Sequence, residues 1–236
     1  MMETQMERQI TNDLNSPGLP GPVTFDYPDF SSVEGLALVG SAARNKNVRD
    51  GLVLRLTAAT YNQLGSAWYE RKAQVSLGFT TSFCFRISEP GALGGGADGF
   101  SFNVQNAGTD QNVGEWSAFN HLGIRFETFN DNSIYIFNLG AQLASHNLDD
   151  LLNMKDGSAY EVQITVSPKM RLSLSIGRTD EPRLPNSPMV EVISNLPIQL
   201  AQISPAYVGF GGRTGAGIEN HDILRWSFQC GSSTPR

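Results

Sequence analysis

Arg125 and Glu127 lie two residues apart in the segment Leu122–Phe129, and they are its only charged residues. If this segment is a strand, both side chains point to one face, about 7 Å apart at Cα, so their charged ends can meet. Sandwich glycosidases place two carboxylates about 5–9 Å apart, one as acid and the other as nucleophile or base. One glutamate beside an arginine cannot divide those roles, and Asp98 is the one candidate for a second acid. We therefore predict that the protein is not an enzyme.

Other residue types that commonly carry catalysis or metal binding do not form known patterns. His121, His146 and His221 are dispersed and lack a metal-binding spacing. Cys84 and Cys230 form no CxxC motif, and the sequence is compatible with a bridge between them or with two buried free thiols. There is no nucleophile elbow, P-loop or dinucleotide fingerprint. These absences agree with a non-enzymatic protein.

The charge balance excludes one class of partner. The chain has 236 residues, with 17 Lys and Arg against 23 Asp and Glu, and a formal net charge of −6. A nucleic-acid-binding protein would need a basic stripe to replace phosphate counterions, so we expect no nucleic-acid partner. No window approaches the roughly 20 apolar residues that cross a bilayer, so we expect no membrane span. Residues 1–16 are polar and mixed in charge and carry no signal peptide, which leaves the compartment open.

Short runs of alternating polarity, rich in β-branched and aromatic residues, recur between turn-forming clusters and predict strands. The clearest runs are Leu52–Thr57, Ala73–Leu77, Thr80–Ile87, Gly99–Gln105, Leu122–Phe129, Ser133–Phe137, Tyr160–Val166, Arg171–Ile176, Tyr207–Gly211 and Ile223–Phe228. Short strands with glycine-rich connections are typical of antiparallel sandwiches and jelly rolls. We therefore predict an all-β, two-sheet antiparallel β-sandwich at residues 23–230, with a flexible arm at 1–22 and a tail at 231–236. One helical turn is predicted at His146–Met154.

Four parts of the chain, in order, resemble the legume-type (L-type) lectin family. They are Gly65–Tyr69 with Gly78–Ile87, then Gly96–Gln105 with its Ala-Asp-Gly-Phe motif, then Leu122–Asn132, and finally Tyr207–Phe210, Thr214-Gly215 and Glu219–Phe228. The resemblance runs from about Phe25 to Phe228. It implies a concanavalin-like sandwich with one concave sheet and a sugar site built from loops over that sheet. It also implies a place in the secretory pathway or outside the cell.

The resemblance implies a carbohydrate-binding site made of Asp98, Gly99, Gly114, Trp116, Phe129, Asp131, Asn132, Gly212, Arg213 and Gly215. Asp98, which in the family follows a cis peptide bond, would accept hydrogen bonds from sugar hydroxyls. Gly114 would donate a backbone N–H, Trp116 would form a wall, and Phe129 would stack on the apolar face of the sugar. The loop from Gly212 to Gly217 would select the sugar. Within it, Arg213 would contact acidic or highly hydroxylated sugars, or lie in solvent on the surface.

The family usually binds Ca²⁺, often with a transition metal beside it, and the resemblance places calcium ligands at Glu127, the carbonyl of Phe129 and Asp131. The chain departs from this pattern. Arg125 replaces the transition-metal glutamate, Glu127 replaces a shorter aspartate, and the segment after Asp131 is too short for a later Asp and His. Ca²⁺ needs about six to eight oxygen ligands. We therefore expect no transition metal and leave Ca²⁺ open. We predict that Arg125 stands in the place of the transition metal, paired with Glu127 and, as a second candidate, Asp98.

The sequence leaves two functions open. The first is a non-enzymatic module that binds glycans or glycoconjugates as mono- or oligosaccharides. The second is a sandwich that has lost sugar and metal binding and serves as an interaction or structural module, which the altered metal loop favours. Homodimer formation is open in both cases, because unprotected edge strands invite pairing.

Overall fold

A computed structural model describes residues 22–115, 121–182, 184 and 188–230 of the chain. Its strands are β1 (Val23–Tyr27), β2 (Leu36–Gly40), β3 (Ala43–Asn47), β4 (Gly51–Thr57), β5 (Leu64–Tyr69), β6 (Phe79–Ala92), β7 (Gly99–Gln105), β8 (Leu122–Glu127), β9 (Ser133–Asn138), β10 (Ala141–Asn147), β11 (Ala159–Val166), β12 (Arg171–Thr179), β13 (Val190–Pro197), β14 (Tyr207–Arg213) and β15 (Gly217–Cys230). Short 3-10 helices lie at Val75–Leu77 and Leu93–Gly95.

The strands form two antiparallel sheets that enclose one core, so the predicted all-β sandwich is confirmed. The back sheet has the order β13-β12-β11-β6-β15-β4-β3, and β1 pairs with the far end of β15. The front sheet has the order β10-β9-β8-β7-β14-β5-β2. Strands β7, β8 and β14 are therefore neighbours in the front sheet. The start of β7 lies beside the ends of β8 and β14, because Gly99 pairs with both Glu127 and Arg213.

Aromatic rings fill the space between the two sheets. Phe83 of β6 makes edge contacts with Phe126 of β8 and Phe210 of β14, at ring-centroid distances of 5.8 and 5.0 Å. Phe100 of β7 stacks on Phe126 at 4.6 Å. Each such pair contributes about 0.5–1.5 kcal/mol beyond the burial of its area. Because side chains alternate along a strand, the residues between these phenylalanines point to the outer face of the front sheet.

The segment of residues 111–115 covers part of that outer face. Ser66 of β5 donates a hydrogen bond of 2.9 Å to the carbonyl of Val113, and Ser101 of β7 donates one of 2.7 Å to the carbonyl of Gly114. Two hydroxyls on the sheet therefore hold the backbone of this segment in place. The polar face of the sheet is consequently partly buried instead of open to water.

Two predicted elements differ from the structure. In Ala73–Leu77 only Ala73 pairs, through an isolated bridge, and the following residues form a 3-10 helix, so the strand prediction is wrong. The helical turn predicted at His146–Met154 is shorter than expected. Strand β10 continues to Asn147, whose side-chain oxygen accepts the N–H of Asp149 at 2.9 Å, as a helix-capping residue does. The N–H of Leu152 then donates to the carbonyl of Leu148 at 2.8 Å, which closes a single helical turn.

Cys84 and Cys230 are both buried and both free, so the alternative with free thiols is the correct one. Within the described part of the chain, no helix is long and apolar enough to cross a membrane. The predicted arm, apart from Pro22, and the predicted tail lie outside the described residues, as does Trp116.

Candidate functional site

Asp98 lies at the entrance to β7, where the chain makes a sharp change of direction. The Ala97–Asp98 peptide bond is cis, as the resemblance implies, and Gly99 has a φ of 113°. A Cβ atom at Gly99 would lie 2.1 Å from the carbonyl oxygen of Phe126, so only glycine fits here. The backbone N–H of Asp98 donates to the carbonyl of Arg213 at 2.9 Å. This bond fixes Asp98 beside the end of β14.

Arg213 joins Asp98 to a second carboxylate. Its Nε donates to Oδ2 of Asp98 at 3.1 Å and its terminal nitrogen donates to Oε1 of Glu115 at 2.7 Å. The Arg213 side chain is 44% exposed, whereas that of Glu115 is 1% exposed. Burial raises the pKa of Glu115, and the charge of Arg213 acts in the opposite direction. Arg213 is thus half-exposed, as the alternative with a surface arginine expects, and is in addition anchored by two acids.

A hollow of about 430 Å³ opens beside this cluster. It is lined by Asn62, Gln63, Leu64, Asp98, Arg213, Thr214 and Gly215. The loop before β5 is joined to the loop after β14, because Thr214 donates its N–H to the carbonyl of Gln63 and its hydroxyl to the carbonyl of Thr60, at 3.0 and 2.6 Å. The wall formed by residues 62–64 was not expected from the sequence, where no motif marks it.

Three predicted glycines have different positions around the hollow. Gly215 lines it, and a Cβ atom there would lie 3.3 Å from Oδ2 of Asp98. Gly114 lies against Arg213, since a Cβ atom there would be 3.0 Å from the Cβ of the arginine. A Cβ atom at Gly212 would instead contact Leu56, inside the sandwich. The structure thus brings Gly114 and Gly215 to the cluster and turns Gly212 away from it.

The predicted residues Phe129, Asp131 and Asn132 line a separate hollow of about 340 Å³. Phe129 is 36% exposed. The side-chain oxygen of Asn132 accepts the N–H of Met154 at 3.1 Å, and its amide nitrogen donates to the carbonyl of Leu152. Asn132 therefore serves to hold the following loop in place.

The calcium ligands implied by the resemblance do not fit a calcium site. Glu127 pairs with Arg125 through Oε2, as predicted, and accepts the N–H of Phe129 through Oε1 at 2.9 Å. Asp131 accepts the hydroxyl of Tyr135 at 2.6 Å. Ca²⁺ would have to replace these contacts and lie next to a guanidinium that stays charged. Among the residues that the structure describes, no three His, Cys, Asp or Glu side chains are grouped to hold a metal ion. The second partner predicted for Arg125 is wrong, because Asp98 pairs with Arg213.

A buried polar chain runs below the site. Thr128 donates its hydroxyl to Oε1 of Glu219, which also contacts Nε2 of His221 at 2.9 Å. Nδ1 of His221 lies 2.5 Å from the hydroxyl of Thr57 on β4. Glu219 and His221 are both fully buried, so these hydrogen-bonded side chains cannot contact a substrate. It connects the loop after β8 to the back sheet.

Comparison with known proteins places these features in a family. Residues 22–139 and 109–236 match the family model of the legume lectin domain. The L-type lectin-domain containing receptor kinase I.7 of Arabidopsis thaliana is 26% identical over 237 residues, which is 86% of this chain and 34% of the relative. The lectin-like protein At1g53060 of Arabidopsis thaliana is 36% identical over 59 residues, 25% of this chain and 23% of the relative. The chain thus spans about a third of the receptor kinase and less of the second relative.

Solved structures share the fold. A lectin from Bauhinia forficata in complex with GalNAc superposes with a TM-score of 0.69 at 21% identity, covering 89% of this chain and 98% of that one. The Ca²⁺/Man-bound exoplasmic/lumenal domain of VIP36 gives a TM-score of 0.69 at 17% identity, covering 87% and 86%. Arcelin-5, a lectin-like defense protein from Phaseolus vulgaris, gives 0.68 at 22% identity, covering 88% and 97%. The chain belongs to the legume lectin domain family.

Proposed function

We propose that the chain is a carbohydrate-binding module that performs no catalysis. The observation that carries this proposal is the pair of Asp98 and Arg213 at the edge of an open hollow. A carboxylate oxygen accepts a hydroxyl hydrogen, and a guanidinium N–H donates to a hydroxyl oxygen. An acceptor and a donor side by side therefore suit two neighbouring hydroxyls of one sugar ring. The remaining predicted contacts are a backbone N–H from Gly114, with Trp116 as a wall, and stacking on Phe129. Because Phe129 lines the second hollow, a ligand that makes all of these contacts has to reach both hollows.

The charges favour a neutral sugar with many hydroxyls over an acidic one. The single positive charge of Arg213 faces the two carboxylates of Asp98 and Glu115. A sugar carboxylate entering the hollow would meet a cluster whose formal charge is already negative, and like charges repel. Neutral hydroxyls gain hydrogen bonds without that repulsion. We therefore infer that neutral hexoses, alone or in oligosaccharides, are the ligand class.

A glycan array followed by calorimetry tests this proposal. We expect the wild type to bind at least one neutral glycan, and Asp98→Asn to lose at least about tenfold in affinity, because a charged acceptor is replaced by a weaker neutral one. The matched control is Asp26→Asn, which changes an exposed carboxylate on β1 that lines neither hollow. Absence of binding by the wild type, or equal loss in both variants, would contradict the proposal.

The alternative is an interaction or structural module that binds no sugar. It is favoured by the contacts that already occupy Asp98, Glu127 and Asp131. If this alternative holds, the glycan array shows no binding and the domain associates with itself or with a partner. Light scattering after size exclusion would report whether a homodimer forms. The family relationship leads us to infer a place in the secretory pathway or outside the cell under either function.

A further inference from the structure

Arg125 supplies a positive charge beside the loop that the family pattern assigns to metals. It lies on β8, and its side chain is buried together with that of Glu127. Its terminal nitrogen pairs with Oε2 of Glu127, while Oε1 of the same carboxylate accepts the N–H of Phe129 at 2.9 Å. The guanidinium thus fixes the carboxylate, and the carboxylate fixes the backbone of the loop that follows β8.

Tyr135 holds the other acid of this loop. Its hydroxyl donates to Oδ2 of Asp131 at 2.6 Å, which spans the turn between β8 and β9. The guanidinium of Arg125 lies 5.9 Å from the centre of the Tyr135 ring, within reach of a cation–π interaction. The pair of Arg125 and Glu127 is therefore in contact with the pair of Tyr135 and Asp131.

We propose that Arg125 and Tyr135 hold the loop between β8 and β9 in the way that bound metal ions would, and that this loop keeps its conformation without any divalent cation. Each supplies what a cation would supply to a carboxylate: Arg125 a fixed positive charge for Glu127, and Tyr135 a hydrogen-bond donor for Asp131. A cation that entered would have to displace both donors and would be repelled by the guanidinium. Both side chains are positioning residues, since they act on the loop through the two acids.

The first test uses the wild-type protein and needs no sugar. The protein is dialysed against EDTA, its Ca²⁺ and Mn²⁺ contents are measured by mass spectrometry, and thermal unfolding is followed with and without added CaCl₂ or MnCl₂. We expect no stoichiometric metal and an unchanged Tm. A resident site at a hundredfold excess over its Kd would raise Tm by roughly 5–10 °C, and that result would overturn the proposal.

The second test measures how much Arg125 and Tyr135 each contribute to thermal stability. Arg125→Met removes the charge at similar length, Arg125→Lys keeps the charge without the planar fork, and Tyr135→Phe removes one hydroxyl. In EDTA we expect Tm to fall by several degrees for Arg125→Met, by less for Arg125→Lys, and by a few degrees for Tyr135→Phe. The control is Arg171→Met at the exposed start of β12, which should leave Tm unchanged.

Arg125→Met and Tyr135→Phe variants that both keep the wild-type Tm would overturn the proposal. If Arg125→Met does not fold, the wild type and Tyr135→Phe still decide it by their response to EDTA and Ca²⁺. None of these measurements involves a glycan. If these tests overturn the proposal of a metal-free loop, the carbohydrate proposal still stands. If the glycan array shows no binding, the proposal of a metal-free loop still stands.

Discussion

The Nε atom of Arg213 donates a 3.1 Å hydrogen bond to Oδ2 of Asp98, across a separation of 115 residues. The backbone N–H of Asp98 returns a 2.9 Å bond to the carbonyl of Arg213. Two reciprocal bonds therefore tie the entrance of β7 to the end of β14. Asp98 is held in one orientation before any ligand arrives, and preorganisation of this kind reduces the cost of binding.

Replacement of Arg213 should affect both binding and folding. Arg213→Ala removes a charged donor, worth about 1.5–3 kcal/mol where it contacts a ligand, so we expect a loss of about tenfold or more in glycan affinity. The free energy of unfolding should fall by about 1–3 kcal/mol, because the buried carboxylate of Glu115 loses the guanidinium that donates to it. Calorimetry and urea unfolding measure the two quantities. Arg178→Ala, at a more exposed ion pair, is the control and should change neither. A large loss of stability with unchanged affinity would contradict this prediction.

Glu115 should make stability depend on pH. Burial raises the pKa of Glu115 above its usual value, so the folded protein binds this proton more tightly than the unfolded chain does. The resulting stabilisation is fully present below the unfolded pKa and is lost as the pH rises through the higher pKa of the folded state. The Tm of the wild type minus that of Glu115→Gln should therefore increase as the pH is lowered from about 7 to about 4. Glu191→Gln, an exposed change on β13, should show no such trend. A Glu115 difference that is constant with pH would refute the prediction.

Gly99→Ala should destabilise the protein by clearly more than about 1 kcal/mol. The new Cβ would lie 2.1 Å from the carbonyl oxygen of Phe126, at a backbone φ of 113° that side chains rarely adopt. Gly157→Ala is the matched control, because Gly157 also has a positive φ but has open space around it. Urea unfolding compares the two. Equal effects would mean that the φ angle alone, and not the contact with β8, makes Gly99 necessary.

Thr128→Val should cost about 1.5–3 kcal/mol of unfolding free energy. It removes a hydroxyl that donates to the buried carboxylate of Glu219, and hydrogen bonds to charged groups fall in that range. Thr165→Val, at an exposed position of β11, is the control and should change little. Chemical denaturation of both variants is the measurement. A Thr128 variant as stable as the control would show that Glu219 is held by other contacts.

The spacing of residue types along the sequence was sufficient to predict the fold class and one ion pair. Runs of alternating polarity predicted the all-β sandwich, because side chains on a strand change face at every residue. The pairing of Arg125 with Glu127 followed from the same rule, since residues two apart share a face. Segment Ala73–Leu77 was predicted wrongly, because its strict alternation of apolar and polar residues resembles a strand even where only one residue finds a partner.

The sequence by itself determined that the chain folds as a two-sheet sandwich, and that an arginine replaces a metal-binding glutamate on one strand. Only the tertiary structure decided which acid Arg213 would hold, that residues 62–64 form a wall beside Asp98, and that Gly212 faces the core. The reason is that strand alternation is a property of neighbouring residues. The partners of a loop side chain depend instead on which distant loops the two sheets bring together at the same end.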